Sequence, residues 1–240
     1  MTDMNFKKPL ILALLFLLPV IFLLFLYPST NNYNALDIVK GNVKDISNFS
    51  SKDGEVYRLK DHITVLGFLG QNPNSNAIAA LNLKEVIYDK FQGFKKFQVI
   101  IVVPEGVEDN VALLKKELYQ YDLLKYWHFV YGETQEIKDL YKSLRSEVKL
   151  DNTLATNHVF IIDKELNQRG RLDDREDKEK EKDFPVYGMY SYDCIEVAIL
   201  KNKMAKEDMR VLFTEYRQKR KGDFNSTKRR AEDLKNNEQN

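Results

Sequence analysis

The feature that most constrains this chain is an uninterrupted apolar run near its N-terminus. Leu10 to Tyr27 reads LILALLFLLPVIFLLFLY, 18 residues without a charge, preceded by Lys7 and Lys8. Wound as a helix, the run rises about 27 Å, close to the thickness of a bilayer's hydrocarbon core. Pro19 kinks such a helix without forbidding it, because a backbone in lipid has few alternatives to helical hydrogen bonding. A cleaved signal peptide calls for a shorter apolar region and a small-x-small cleavage site. The run ends instead in Tyr27-Pro28-Ser29-Thr30-Asn31-Asn32, so it reads as an uncleaved single-span anchor. Lys7 and Lys8 favour a cytoplasmic N-terminus, although Lys40 and Lys44 beyond the run weigh against it. The expected layout is a cytoplasmic segment over 1–9, an anchor over 10–27 and a tether over 28–42. A globular domain over 43–217 and a polar, disordered tail over 218–240 complete it. The domain then sits on the extracytoplasmic or periplasmic side of the cell (inner) membrane.

Beyond the anchor, charge and cysteine usage exclude several function classes. The chain carries 37 Lys and Arg against 36 Asp and Glu, a net charge of +1. Without a basic excess there is no electrostatic footprint for nucleic acid, and no such partner is expected. One cysteine, Cys194, occurs in the whole sequence, which leaves no intramolecular disulfide, no CxxC pair and no cysteine-rich zinc site. No GxSxG, HExxH or GxxxxGK[ST] motif is present. With 13 Tyr and 14 Phe, the domain has ample material for a core.

Hydrophobic periodicity predicts the elements. Val43–Phe49 and Val56–Leu59, flanking Ser51-Lys52-Asp53-Gly54, read as an N-terminal β-hairpin. Ile63–Leu69 and Phe97–Val103 are continuous apolar runs typical of strands buried on both faces. Between them, Ile78–Phe91 has helical spacing, with Leu81, Val86, Ile87 and Phe91 as its inner stripe. Next come a helix over Asn110–Leu124, a short strand over Trp127–Tyr131 and a helix over Thr134–Leu144 capped by Thr134. His158–Asp163 reads as a strand that pairs with Arg169–Leu172 through a turn at Asn167-Gln168. Asp173–Asp183 is almost wholly charged and reads as a solvated loop. Ser191 or Asp193 is the expected cap of a last helix running from about Cys194 to Lys219. Strands alternating with helices imply an α/β layer fold with a partly parallel sheet, and the order fits a thioredoxin core.

The loop after the first buried strand is the most informative stretch. Gly67-Phe68-Leu69-Gly70-Gln71-Asn72-Pro73-Asn74-Ser75-Asn76 resembles the corresponding loop of the Sco/SenC family, where two cysteines open the first core helix. Asn72 and Asn76 stand where those cysteines would be, and Pro73 is retained. Val102-Val103-Pro104-Glu105, the stretch from Trp127 through Phe129 and Gly132, and Asn157-His158 before the strand are similar to further family segments. The resemblance implies a Sco-type thioredoxin fold over roughly 43–217, with His158 in the place of the family's third copper ligand. Intact members deliver copper to cytochrome oxidase. It also implies a protein partner, terminal oxidase subunits or an intact Sco protein.

The departures remove the chemistry. Copper(I) prefers thiolate, thioether or imidazole ligands, and two carboxamides replace the thiolates poorly. Thiol–disulfide exchange needs an attacking thiolate, which neither Asn72 nor Asn76 can supply. The sequence therefore predicts a redox-inactive protein with no enzymatic activity, no metal and no cofactor, acting by binding. The alternatives are a copper chaperone using His158 with Met189 or Cys194, and a thiol-dependent oxidoreductase. Cys194 reads as a buried small hydrophobe, or as a thiol favoured by a helix dipole if exposed. His62 and His128 are not expected to converge with other groups.

Overall fold

A computed structural model describes residues 7–26, 35–119 and 124–221. It divides into two units, Met1–Asn34 and Ala35–Asn240. In the first, α1 (Lys7–Leu26) is a single helix of 20 residues that includes Pro19. Counted over its described side chains, 11–22 and 24, no helix is long and apolar enough to cross a membrane. The expected span reaches past those positions at both ends and lies partly outside the described residues.

The second unit is built on a mixed sheet. In chain order the strands are β1 (Asp37–Lys40), β2 (Ile63–Leu69), β3 (Phe97–Pro104), β4 (Trp127–Gly132), β5 (Ala155–Ile162), β6 (Gln168–Gly170) and β7 (Tyr192–Asp193). They line up as β1-β6-β5-β2-β3-β4, with β7 paired to β5. The run β2, β3 and β4 is parallel, while β5 and β6 are antiparallel to their neighbours. The parallel strands are sealed on both faces, β2 and β3 being buried at every position, which is why they carry unbroken apolar runs.

Helices cover both faces. Against one face lie α2 (Ala77–Leu83), α3 (Asp89–Phe91), α4 (Glu108–Leu118) and α7 (Met209–Lys221). They contribute Ala79, Leu83, Phe91, Leu114 and Leu212 to a core with Val65, Val99, Ile101 and Phe129. Against the other face lies α5 (Thr134–Lys142), whose Ile137 and Leu140 pack on Leu66, Phe68, Ile100 and Phe160. Three parallel strands continued by antiparallel β5 and β6, with β1 added beyond them and helices on both sides, define a thioredoxin-like fold.

Several elements differ from their expected form, each for a local reason. The expected hairpin over 43–59 does not form. Val43, Ile46, Phe49 and Leu59 are instead separate anchors buried in the second core, and the Asp45 carboxylate accepts the backbone N–H groups of Ile46 and Leu59. Ser50 makes one antiparallel bridge to Tyr131. Part of the expected tether is structured, since β1 pairs with β6. Between α2 and α3 the chain is π-wound over Lys84–Tyr88. The extra residue per turn moves the inner stripe to Ala79, Ala80, Leu83, Ile87, Tyr88 and Phe91, leaving Leu81 and Val86 half-buried.

The helix expected over 110–124 is α4, described over Glu108–Leu118, and residues 120–123 of the expected span lie outside the described residues. The cap of α5 is Glu133, not Thr134, and its N–H donates to the Glu136 carboxylate. The β5–β6 turn is closed from Asp163 to Asn167, with Leu166 at φ 62°, so Gln168 belongs to the strand rather than the turn. The charged stretch contains a short helix, α6 (Asp177–Glu181), and Asp174 is buried, accepting Lys203 and pairing with Arg171. The last helix begins after Cys194: Ile199–Asp208 is π-wound and runs into α7. Asp193 caps a turn by accepting the Ile195 N–H and does not cap that helix. Residues 218–221 of the expected tail are helical, and the rest of it lies outside the described residues.

Buried charge fastens the C-terminal helix to the sheet. Arg169 on β6 is fully buried and donates to Asp163 at 3.0 Å, to Glu215 on α7 at 2.6 Å and to the Leu36 carbonyl at 2.7 Å. Beside it, Arg171 reaches Asp208 at 2.5 Å, and Asp208 also accepts the hydroxyl of fully buried Tyr192. Burial pushes the Asp208 carboxyl up, against the pull of those two donors.

Candidate functional site

In an open α/β sheet the space beyond the carboxyl ends of the parallel strands is the natural place for a site, and the loop after β2 lies there. Gly70 ends β2 at φ 63°, and a Cβ there would lie 2.4 Å from the Thr153 carbonyl oxygen. The next residue closes onto the same group, Gln71 N–H donating to Thr153 O at 2.9 Å. Asn72 is exposed and its carbonyl accepts Ser75 N–H at 3.0 Å, opening a 3₁₀ turn over Pro73–Asn76. Pro73 is buried at the first position of that turn, where a missing N–H costs nothing. Asn76 is half-buried and donates its amide to the Leu69 carbonyl at 3.3 Å. The two carboxamides are thus a solvent-facing group and a turn fastener.

His158 lies on β5 opposite Asp193 of β7. Its Nδ1 is 2.9 Å from Ser191 Oγ and its Nε2 is 3.9 Å from the Asp193 carboxylate. The partners of its ring therefore come from the β7 segment, not from Asn72 or Asn76. Cys194 is 2% exposed, within the first core. Its backbone is held at both ends, N–H to the Asn157 carbonyl and C=O from the Asn82 amide, each at 2.9 Å. It precedes the last helix by several residues and so receives no help from a dipole. Burial, with Asp193 adjacent, pushes its thiol far up, out of the range in which thiolate forms. Met189 exchanges backbone hydrogen bonds with Arg171 and packs against the first core. Among the described residues no group of three His, Cys, Asp or Glu is arranged to hold a metal ion.

A second region was not anticipated from the sequence. Along β4, which forms one edge of the sheet, a cleft of about 420 Å³ is lined by Lys52, Asp53, Tyr57, Lys115, Trp127 and His128, among others. Tyr57 stacks on His128 with ring centroids 4.0 Å apart and planes 25° from parallel. Burial lowers His128 to about 4, helped by Lys115 and His62 and opposed by Asp53, so the ring is neutral at pH 7. Asp53 is partly desolvated, which alone would raise its carboxyl. Hydrogen bonds from Ser51, Tyr57 and the Glu55 N–H outweigh that and hold it at about 2. His62, by contrast, faces only the Lys60 carbonyl, at 3.0 Å. The signal for His128 was its place inside an apolar strand; the stacking partner 71 residues earlier could not be inferred from sequence spacing.

The class of protein is therefore a thioredoxin-like α/β fold whose loop after β2 carries amides. Comparisons with known proteins give likenesses only. No family model matches the chain, and no curated protein does. Among solved structures, a putative electron transfer protein from Aquifex aeolicus shares 20% identity, covering 53% of this chain and 80% of its own, with a TM-score of 0.40. A thiol:disulfide interchange protein from Bacteroides sp. shares 17%, over 55% and 79%, with a TM-score of 0.39. The soluble domain of Sco1 from Bacillus subtilis shares 16%, over 54% and 80%, with a TM-score of 0.39. These are likenesses at low identity and low score; the strand order itself carries the fold assignment.

Proposed function

We propose that this chain is a membrane-anchored, redox-inactive protein of thioredoxin-like, Sco-related type. It acts by binding, as an accessory factor in the assembly of a respiratory cytochrome oxidase. One observation carries the reading: the loop after β2 keeps its buried proline and its carbonyl clasp while presenting Asn72 and Asn76, and the one thiol of the sequence is sealed in the core. Thiol exchange requires an accessible thiolate and soft-metal transfer requires soft ligands. Neither is offered at this loop, so what remains useful is the surface around it.

The oxidase partnership, with terminal oxidase subunits or an intact Sco protein, rests on the family resemblance of the loop and the His158 segment and is fold-level analogy. Anchorage rests on the 18 uncharged residues from Leu10 to Tyr27, and the domain is then assigned to the extracytoplasmic side. Deleting the gene is expected to lower the level of assembled, copper-loaded oxidase, and complementation with Cys194→Ala is expected to restore it. A deletion strain with normal oxidase would overturn the assembly role. A folded Cys194→Ala protein that fails to complement would overturn the non-catalytic reading.

A further inference from the structure

The cleft along β4 combines features that neither the fold nor the proposed assembly role requires. It lies beside an edge strand, between the arm that carries Asp53 and Tyr57 and the C-terminal end of α4. Its walls are aromatic: Tyr57 and His128 form a stacked pair, and Tyr119, Trp127 and Phe129 complete the lining. Among the described residues the lining includes three lysines, Lys52, Lys115 and Lys125, and one carboxylate, Asp53. That carboxylate is already engaged by Ser51 Oγ at 2.6 Å, Tyr57 Oη at 2.5 Å and Glu55 N–H at 3.2 Å. Lys115 is half-buried, with its Nζ over the Phe129 ring at 5.2 Å from the centroid. Burial lowers its basicity, so a charge sits here at a cost that a bound anion would offset.

Trp127 is 2% exposed, it lines the cleft, and among the described residues its buried Nε1–H has no hydrogen-bond partner. Buried indole N–H groups ordinarily find an acceptor. Cationic side chains beside flat aromatic walls call for a ligand that is planar, apolar on its faces and anionic at its rim. At about 420 Å³ the cleft falls at the small end of ligand sites, the size of a one- or two-ring molecule.

We propose that the β4 cleft is a binding site for a small planar aromatic anion, a ring bearing a carboxylate. Its ring lies against the Tyr57–His128 stack and its carboxylate meets the Lys115 ammonium. Neutral His128 suits the first role, since an uncharged ring stacks on another without desolvating a charge. This site stands whether or not the assembly role holds.

Because Trp127 is the single tryptophan, the full chain labelled with 5-fluorotryptophan reports the cleft through one ¹⁹F resonance. With the chain in lipid nanodiscs, 2-naphthoate is the probe and 2-naphthalenemethanol its uncharged counterpart. The expected result is a saturable shift of the resonance by 2-naphthoate, with a Kd below about 1 mM, the weakest affinity class worth calling a site. The alcohol should bind at least fivefold more weakly, and Lys115→Gln should remove most of that difference. Tyr57→Ala should weaken both probes. A resonance that does not move with 2-naphthoate up to several millimolar would overturn the site. Equal affinity for the two probes, or an unchanged preference in a Lys115→Gln protein of unaltered melting temperature, would overturn the anionic class of ligand.

Discussion

Two regions of this domain reverse the usual relation between chemistry and position. The loop after β2 occupies the place where a thioredoxin-like fold can expose reactive groups, yet its side chains are neutral amides and its order comes from backbone contacts: Gly70 against Thr153, Gln71 to Thr153, Asn76 to Leu69. The region around Arg169 is dense in charge, with Asp163, Glu215, Arg171 and Asp208, yet Arg169 and its partners are closed to solvent and tie β1, β6 and α7 together. Ionisable groups here mark architecture, and the position that invites reaction carries none. A density of charged residues is therefore a poor guide to function in this chain, because burial with matched partners makes such groups inert.

The contrast is broken most directly by removing its charged half. Arg169→Met leaves Asp163 and Glu215 buried without their counter-ion, and the expected loss is about 3–5 kcal/mol of unfolding free energy. Denaturant unfolding followed by Trp127 fluorescence measures it. A loss near 1 kcal/mol would mean that the cluster contributes little and that apolar packing holds α7.

The backbone half is tested at Gly70. A Cβ there meets the Thr153 carbonyl at 2.4 Å and forces a left-handed φ on an L-residue. Gly70→Ala should cost about 2–4 kcal/mol from the conformational penalty and the displaced carbonyl together. Unaltered stability would show that the loop tolerates rearrangement and that its shape is not what has been kept.

The smallest expected effect sharpens the comparison by adding a titrating group that belongs to neither region. His128 ionises at about 4 in the folded chain, against 6.5 for the free group. Between those values the unfolded chain binds more protons, so stability falls as pH drops from about 6.5 to about 4 and is level below that. His128→Phe, which keeps the ring on Tyr57, should reduce that acid-side loss by on the order of 1–2 kcal/mol after allowance for partial exposure. Unfolding at pH 7 and at pH 4.5, wild type against variant, gives the difference; equal losses would remove His128 from the account.

The sheet was largely legible in the sequence. Ile63–Leu69 and Phe97–Val103 announced themselves because strands buried on both faces need apolar residues at every position. Element β1 was hidden, since DIVK in a polar stretch is a strand only by virtue of pairing with β6. The expected hairpin failed for the opposite reason: Val43, Ile46, Phe49 and Leu59 are apolar because each plugs the second core, not because two strands pair. For the loop after β2, the sequence named the positions of Asn72, Pro73 and Asn76. It could not show that His158 turns to Ser191 and Asp193. The β4 cleft was invisible, because Tyr57, Lys115 and His128 come from three separate elements and share no spacing that predicts their meeting.

Cys194 has one more consequence. Sealed at 2% exposure, its N–H donating to the Asn157 carbonyl and its carbonyl accepting the Asn82 side-chain amide, it reacts only when the surrounding core opens. The rate at which a thiol reagent in excess modifies the native chain is then set by how often, and how widely, the molecule opens. The protein carries in its single sulfhydryl a clock for its own breathing, readable without any added label.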